Sequence, residues 1–416
     1  MLSTLLVDSE EYQKRVKTDF SPPKVTLAEI HAAVPKYLFH KSTKKAFFYT
    51  IRTSLCSVVF YQLAMRIDPF ACRLQHLGLP RLLSFSLRAI LWATYCWWQG
   101  IAFAGLWCLG HEAGHGTLSN HDWVNHCLGY LLHTFLMVPY FSWRATHHAH
   151  HKAVGSIERD ENYVPPTRSD YALPPASKAH AQDYHAVFEE TPAYTLGRML
   201  LMQLLGWQTY LLCNTLGSRM YPAGTNHFSP NSPLFKPEQR RGVVLSNIGL
   251  SIMACLLHHY ARAVGPAHFA LIYLVPYLLA NHWIVMLTFL HHSDPTIPHY
   301  RTPQWSFLRG ALATVDRPLL GWAGRFFLHN VSHDHIAHHL FSSIPFYNQP
   351  RVTEIIRPIL GEDYNYDSTN TFRALYRAFT QCCFVEEEEA IAFYRNRRGE
   401  AARRVAVADT GDKVEK

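Results

Sequence analysis

Residues 89–109 read AILWATYCWWQGIAFAGLWCL, and residues 111–115, directly behind them, read HEAGH. The first stretch holds 21 positions without a charge, which as a helix is enough to cross roughly 30 Å of hydrocarbon. Working outward, similar apolar runs occupy Gly242 to Ala261 and His268 to Leu290. A fourth, Ala46 to Met65, carries only Arg52 near one end, where a long cationic side chain reaches the headgroups. Two shorter runs, Cys127 to Phe141 and Met199 to Cys213, are too short to cross and are expected at the interface or in a shallow re-entrant layer. The expected fold is therefore all-α and membrane-integral, with four transmembrane helices in two hairpins.

The first 45 residues are polar and charged, so no cleavable signal precedes the first span, which acts as its own targeting signal. Eight Lys or Arg residues lie in that arm, including Lys36, Lys41, Lys44 and Lys45, which by the positive-inside rule puts the N-terminus in the cytosol. The chain then divides into a cytosolic arm (1–45), a first hairpin (46–109), a loop (110–241), a second hairpin (242–290) and a C-terminal domain (291–385). Two crossings return the chain to its starting side, so loop and C-terminal domain share the cytosolic face and form a helical cap there. Residues 386–416 hold alternating charge blocks and little to bury, and are expected to be a solvated, disordered tail.

Nine scattered cysteines show no zinc-ribbon spacing and no secretory context, so they read as reduced or buried in spans. The formal charge of +8 suits an anionic membrane surface or an acidic protein partner. Nucleic acid fits an integral membrane chain poorly.

Histidine accounts for 27 of 416 residues, and the excess is clustered. His111 and His115 are an i, i+4 pair; His147, His150 and His151 form an i, i+3, i+4 triad, and His335, His338 and His339 repeat it. On a helix, residues three and four apart project from one face, so each cluster can aim its imidazoles at one locus, as metal coordination by neutral ring nitrogens requires. Eight imidazoles exceed the ligand set of a single ion, and two ions are the economical reading. His148 and His333 read as bystanders. Metal-bound histidine usually gives its other N–H to a carboxylate or carbonyl, which makes Glu112, Glu158, Asp160, Glu161 and Asp334 candidate supports.

Imidazole suits zinc, iron and copper alike. A site at the mouth of a membrane bundle can meet an acyl chain, and an unactivated methylene demands an oxidant, which favours a redox metal. Two other readings compete. HEAGH fits the HExxH pattern of a zinc protease with Glu112 as base, but that reading leaves two triads unexplained. A metal transporter would place ionisable residues along an ion path inside the spans, where few occur.

The three clusters with their flanks, SWRATHHAHHKAVGSIERDENYVP, TIPHYRTPQWSFLRGALATVDR and HNVSHDHIAHHLFSSIPFYNQPRVTEIIRPILGEDY, resemble the membrane fatty-acid desaturase family in the same order, particularly fungal and plant microsomal oleate Δ12 desaturases. The resemblance runs from near Thr26 to about Glu386. It implies a diiron enzyme of the endoplasmic reticulum that takes electrons from cytochrome b5 and uses O2 to insert a cis double bond into an acyl lipid. Carried over, the ligands are His111, His115, His147, His150, His151, His335, His338 and His339, and His292 matches a further family histidine, with His291 and His329 as neighbours. The first box departs from the common HECGH, having Ala113 in place of cysteine, and His333 stands where a related sequence often has Asp. Members with the same boxes also form Δ15 (ω3) double bonds, hydroxyl groups, epoxides or triple bonds. No HPGG heme motif and no flavin or nicotinamide fingerprint occur, so the electron donor is expected to be a separate protein.

Overall fold

The computed structural model describes residues 7–406. The principal helices are α1 (Thr43–Ala64), α2 (Arg81–Gly114), α3 (Asp122–Phe135), α4 (Tyr140–Ala153), α5 (Pro192–Cys213), α6 (Arg240–Val264), α7 (Val275–His292), α8 (His335–Leu340) and α9 (Thr371–Gln381). The strands among the described residues are β1 (His299–Tyr300) and β2 (Ile391–Ala392), paired antiparallel.

Helix α2 is the centre of the bundle and packs against α1, α3 and α7. Gly100 lets α7 come close, since a Cβ there would stand 2.6 Å from that of Leu279. At 34 residues, α2 is ~51 Å long, well beyond the thickness of hydrocarbon. The surplus carries HEAGH as its last turn, so the first histidine pair sits at the end of this helix itself rather than in a loop after it. Gly116, at φ +71°, then terminates the helix, as a left-handed glycine does just past a helix end.

Among the described residues, Pro237–Val264 and Pro266–His292 are long and apolar enough to cross a membrane. The other two expected spans fall short of that measure because Gln99 and several Trp and Tyr residues dilute α2, and Lys44, Lys45, Arg52 and Gln62 dilute α1. Even so, α1 turns Ile51, Leu55, Val58 and Val59 outward, each more than half exposed. An apolar outward stripe is the reverse of a soluble helix.

The run Met199 to Cys213 is part of a 22-residue helix, α5, which begins at a Thr191 cap. It buries Thr195, Met199, Gln203, Trp207 and Leu211, spaced four apart, and packs on α7. The other short run forms α3 and the start of α4, with α3 packed along α2.

The expectation of a disordered tail fails for residues 386–406. Ile391, Ala392, Phe393 and Tyr394 are buried, and β2 lies on β1. The charge blocks are matched from distant segments: Arg168 forks onto Glu386 with both bonds at 2.6 Å, and Glu387 accepts the Ser169 N–H at 2.8 Å. A four-residue apolar run and remote arginines thus hold a segment whose local composition reads as solvated. Residues 407–416 of that expectation lie outside the described residues.

Candidate metal centre

Four elements deliver histidines to one place: the C-terminal ends of α2 and α7, the second half of α4, and the short helix α8. Their imidazoles fall into two groups. His111, His115, His147, His151 and His338 bring ring nitrogens within 4.8 Å of one another, as do His150, His292 and His339. His335 joins the second group, its Nε2 lying 3.0 Å from that of His292 and 3.1 Å from that of His339. All eight box histidines and His292 are therefore in the site. The groups adjoin, since His151 stacks on His339 with ring centroids 4.2 Å apart.

The residues fit metal ions on two counts. In the first group the His115 Nε2 lies 3.3 Å from that of His111 and 2.9 Å from that of His147, while His147 and His151 face each other at 3.2 Å. One proton can bridge two neutral imidazoles, but not five converging lone pairs. The His338 Nε2 is moreover buried without a partner. Burial, ahead of any neighbouring charge, pushes His147, His151, His335 and His339 well below the usual histidine range and His338 down to about 3. These rings are neutral at physiological pH, the form that binds metal.

The supports differ from residue to residue. Asp160 accepts from the His150 Nδ1 at 2.7 Å, and is itself fixed by N–H groups of Gly155 (2.8 Å) and Asn162 (3.1 Å). Glu112 places Oε1 3.3 Å from the His111 Nδ1 and 3.9 Å from that of His338, and its Oε2 accepts the Thr117 hydroxyl. It therefore faces the backs of two rings, away from the converging Nε2 atoms, which is not where the base of a zinc protease stands. The other three carboxylates do not touch a box ring: Glu158 bonds Arg301 and the Thr302 N–H, Glu161 accepts from the Tyr221 hydroxyl, and Asp334 pairs with Arg325. Helix α8 is instead held by Asp316, absent from the sequence-based candidates, which accepts the Ile336 N–H at 2.8 Å and the Tyr364 hydroxyl at 2.5 Å.

Among the neighbours, His148 bonds the Gly114 carbonyl (2.8 Å) and His291 that of Val315 (2.5 Å). His329 lies 3.4 Å from the Thr53 hydroxyl, and neither it nor His333 belongs to either group.

An apolar cavity of about 490 Å³ runs between α5, α7 and α9, lined by Leu201, Met202, Leu205, Val285, Phe289 and Phe379 among others. A smaller void between the histidine rings shares Asn162, Tyr163, Trp207, Tyr210 and Thr288 with it. The cavity and the histidine void thus adjoin across these shared side chains.

Asp160→Asn replaces the charged acceptor behind His150 with an amide of the same size. Loss of such a partner typically costs 10- to 100-fold in metal affinity, about the loss expected here. Metal retained by purified protein under chelator competition measures it; retention equal to wild type would mean that Asp160 does not hold the ring.

An all-nitrogen cluster able to hold metal beside an apolar cavity is the arrangement of a histidine-box protein. The sequence profile of the fatty acid desaturase family matches residues 89–370, and the chain belongs to that family. It is 36% identical to an oleate hydroxylase of Claviceps purpurea, over 91% of this chain and 82% of that one. It is 35% identical to a Δ12 fatty acid desaturase of Mortierella alpina (91% and 92%) and 36% identical to an endoplasmic reticulum ω-6 desaturase of Brassica juncea (92% and 94%).

Proposed function

We propose that this chain is an O2-dependent acyl-lipid Δ12 desaturase, converting oleoyl to linoleoyl chains with two iron ions held by the eight box histidines and His292. The observation that carries the reading is the adjacency of two histidine groups to an apolar cavity that shares Tyr163, Trp207 and Tyr210 with the void between their rings. Bound there, iron supplies the activation of O2 that removal of hydrogen from an unactivated methylene demands. The chain's own share is positional. Cavity walls from α5 and α7 strip water from the acyl chain and hold its reacting carbons against the rings of the second group, while Asp160 and Glu112 fix the imidazoles from behind.

The enzyme is placed in the endoplasmic reticulum membrane with four spans and with termini and histidine boxes in the cytosol. Basic residues before α1 support that orientation, as does the delivery of histidines to one site by the C-terminal ends of both α2 and α7. Electrons come from cytochrome b5 as a separate acidic protein, for which the net charge of +8 is complementary.

A second reading has its own support. The hydroxylase of Claviceps purpurea is as similar to this chain as the desaturases are, so the same site inserting oxygen at carbon 12 is the alternative product. Expression in a eukaryotic host that makes only monounsaturated lipids decides between them. New 9,12-diene is the expected result; a hydroxylated or ω3 product would revise the product alone, and an unchanged profile with membrane-inserted protein would refute the reading.

A further inference from the structure

Tyr163 lines both the acyl cavity and the void between the histidine rings. Its backbone has φ +58°, a left-handed conformation that is unfavourable for a bulky residue and persists only where the surroundings impose it. They do so from both sides. The Asn162 N–H is tied to Asp160 at 3.1 Å, and the Val164 N–H to the Leu216 carbonyl at 3.2 Å. The strain therefore sits between the carboxylate that supports His150 and a loop after α5.

What the strained backbone achieves is the placement of one ring. The Tyr163 ring lies nearly parallel to His292, at 5° and 5.2 Å between centroids, with Phe289 at 6.5 Å and His150 at 6.3 Å. Thr288, whose hydroxyl donates to the Ile284 carbonyl at 2.8 Å, lines the same two spaces. A flat, two-torsion side chain, pinned in this way, makes a stiff wall at the point where an acyl chain leaves the cavity for the histidines.

We propose that Tyr163 is a positioning residue whose ring fixes which acyl carbons stand before the His150–His292 group, and so determines the position of the product. This rests on the desaturase reading above. Touching His292 only through its ring face, Tyr163 acts on register rather than on metal binding. Tyr163→Phe keeps the ring, whereas Tyr163→Leu and Tyr163→Met keep bulk but remove the flat wall and let the chain slide.

The test is the double-bond position of products from membrane-inserted variants in the monounsaturated host, with iron content measured on the same purified proteins. Tyr163→Phe is expected to give the wild-type product. The Leu and Met variants are expected to keep wild-type iron, to turn over roughly tenfold more slowly, as slight misplacement of reacting atoms does, and to spread product over neighbouring positions. A single wild-type product from both, loss of iron in both, or iron-loaded protein without product would each overturn the proposal. A wild-type chain that makes no new product would instead refute the desaturase reading, independently of Tyr163.

Discussion

Replacement of His151 by alanine is expected to remove all detectable product while leaving the chain in the membrane. His151 faces His147 at 3.2 Å, stacks on His339 of the second group at 4.2 Å and has the rings of His115 and His338 within 4.8 Å. His151 thus meets members of both groups, so its loss opens one group and loosens the other. The drop should exceed about 100-fold, the upper end of what loss of a mere outer partner costs, and iron per purified chain should fall with it. His148→Ala is the control, because that ring belongs to neither group: it donates to the Gly114 carbonyl, a bond worth about 1 kcal/mol, and meets His115 only by stacking at 5.5 Å. It should keep its iron and most of its activity. Full activity in His151→Ala would mean that the first group is not a metal site.

The histidines were legible because a ligand set on helices carries its geometry in its spacing. His147, His150 and His151 fall on one face of α4 whatever surrounds that helix, and the same holds for α8. Their supports were legible only in part. Asp160 comes back on His150 through the short turn after α4, a local relation that sequence distance expresses. Glu158 and Glu161, one or two residues away and of the same chemistry, turn to Arg301 and Tyr221 instead. Asp316 holds α8 from twenty residues upstream, and nothing in its own neighbourhood marks it.

The apolar runs gave the helices but not their lengths or their neighbours. Hydropathy marks the part of α2 that can lie in hydrocarbon and stops before HEAGH, although the same helix continues through it, because polar residues do not end a helix and Gly116 does. The order of the tail is hidden from its local composition for the opposite reason. Its glutamates are compensated by Arg168 and Arg395, and only the folded chain brings Arg168 to Glu386. Charge blocks are solvated by default, and become structural when partners from elsewhere arrive buried.

Arg377→Met is expected to destabilise the protein by about 3–5 kcal/mol, the usual result of removing one partner from a buried charge network. Arg377 and Arg317 clamp Asp367 and Asp294: Arg317 at 2.6 and 2.7 Å, Arg377 at 2.5 and 3.3 Å. Arg377 also bonds Asp8 at 2.7 Å and covers the Tyr12 ring at 3.4 Å, while Arg15 donates to Thr296. The cluster therefore sews the N-terminal helix Glu10–Lys17 to α9 and, through Arg317 and the Leu290 carbonyl, to the end of α7 that bears His292.

Burial opposes ionisation of Asp367, but Arg317 and Arg377 outweigh it and hold the carboxyl well below its ordinary 3.8. A depressed carboxyl contributes stability that is fully present above the unfolded value and is lost only as pH falls through the folded one. The wild-type melting temperature in detergent should accordingly fall in acid, below about pH 4, through a term that Asp367→Asn lacks. Arg377→Met should lower that temperature already at pH 7, because it leaves two aspartates sharing Arg317 in a buried site. An unchanged melting temperature at pH 7 would mean that the cluster is solvated. A large drop, with iron still bound in the folded fraction, would show that the N-terminal segment is held to α9 and to the His292 end of α7 through charge rather than apolar contact.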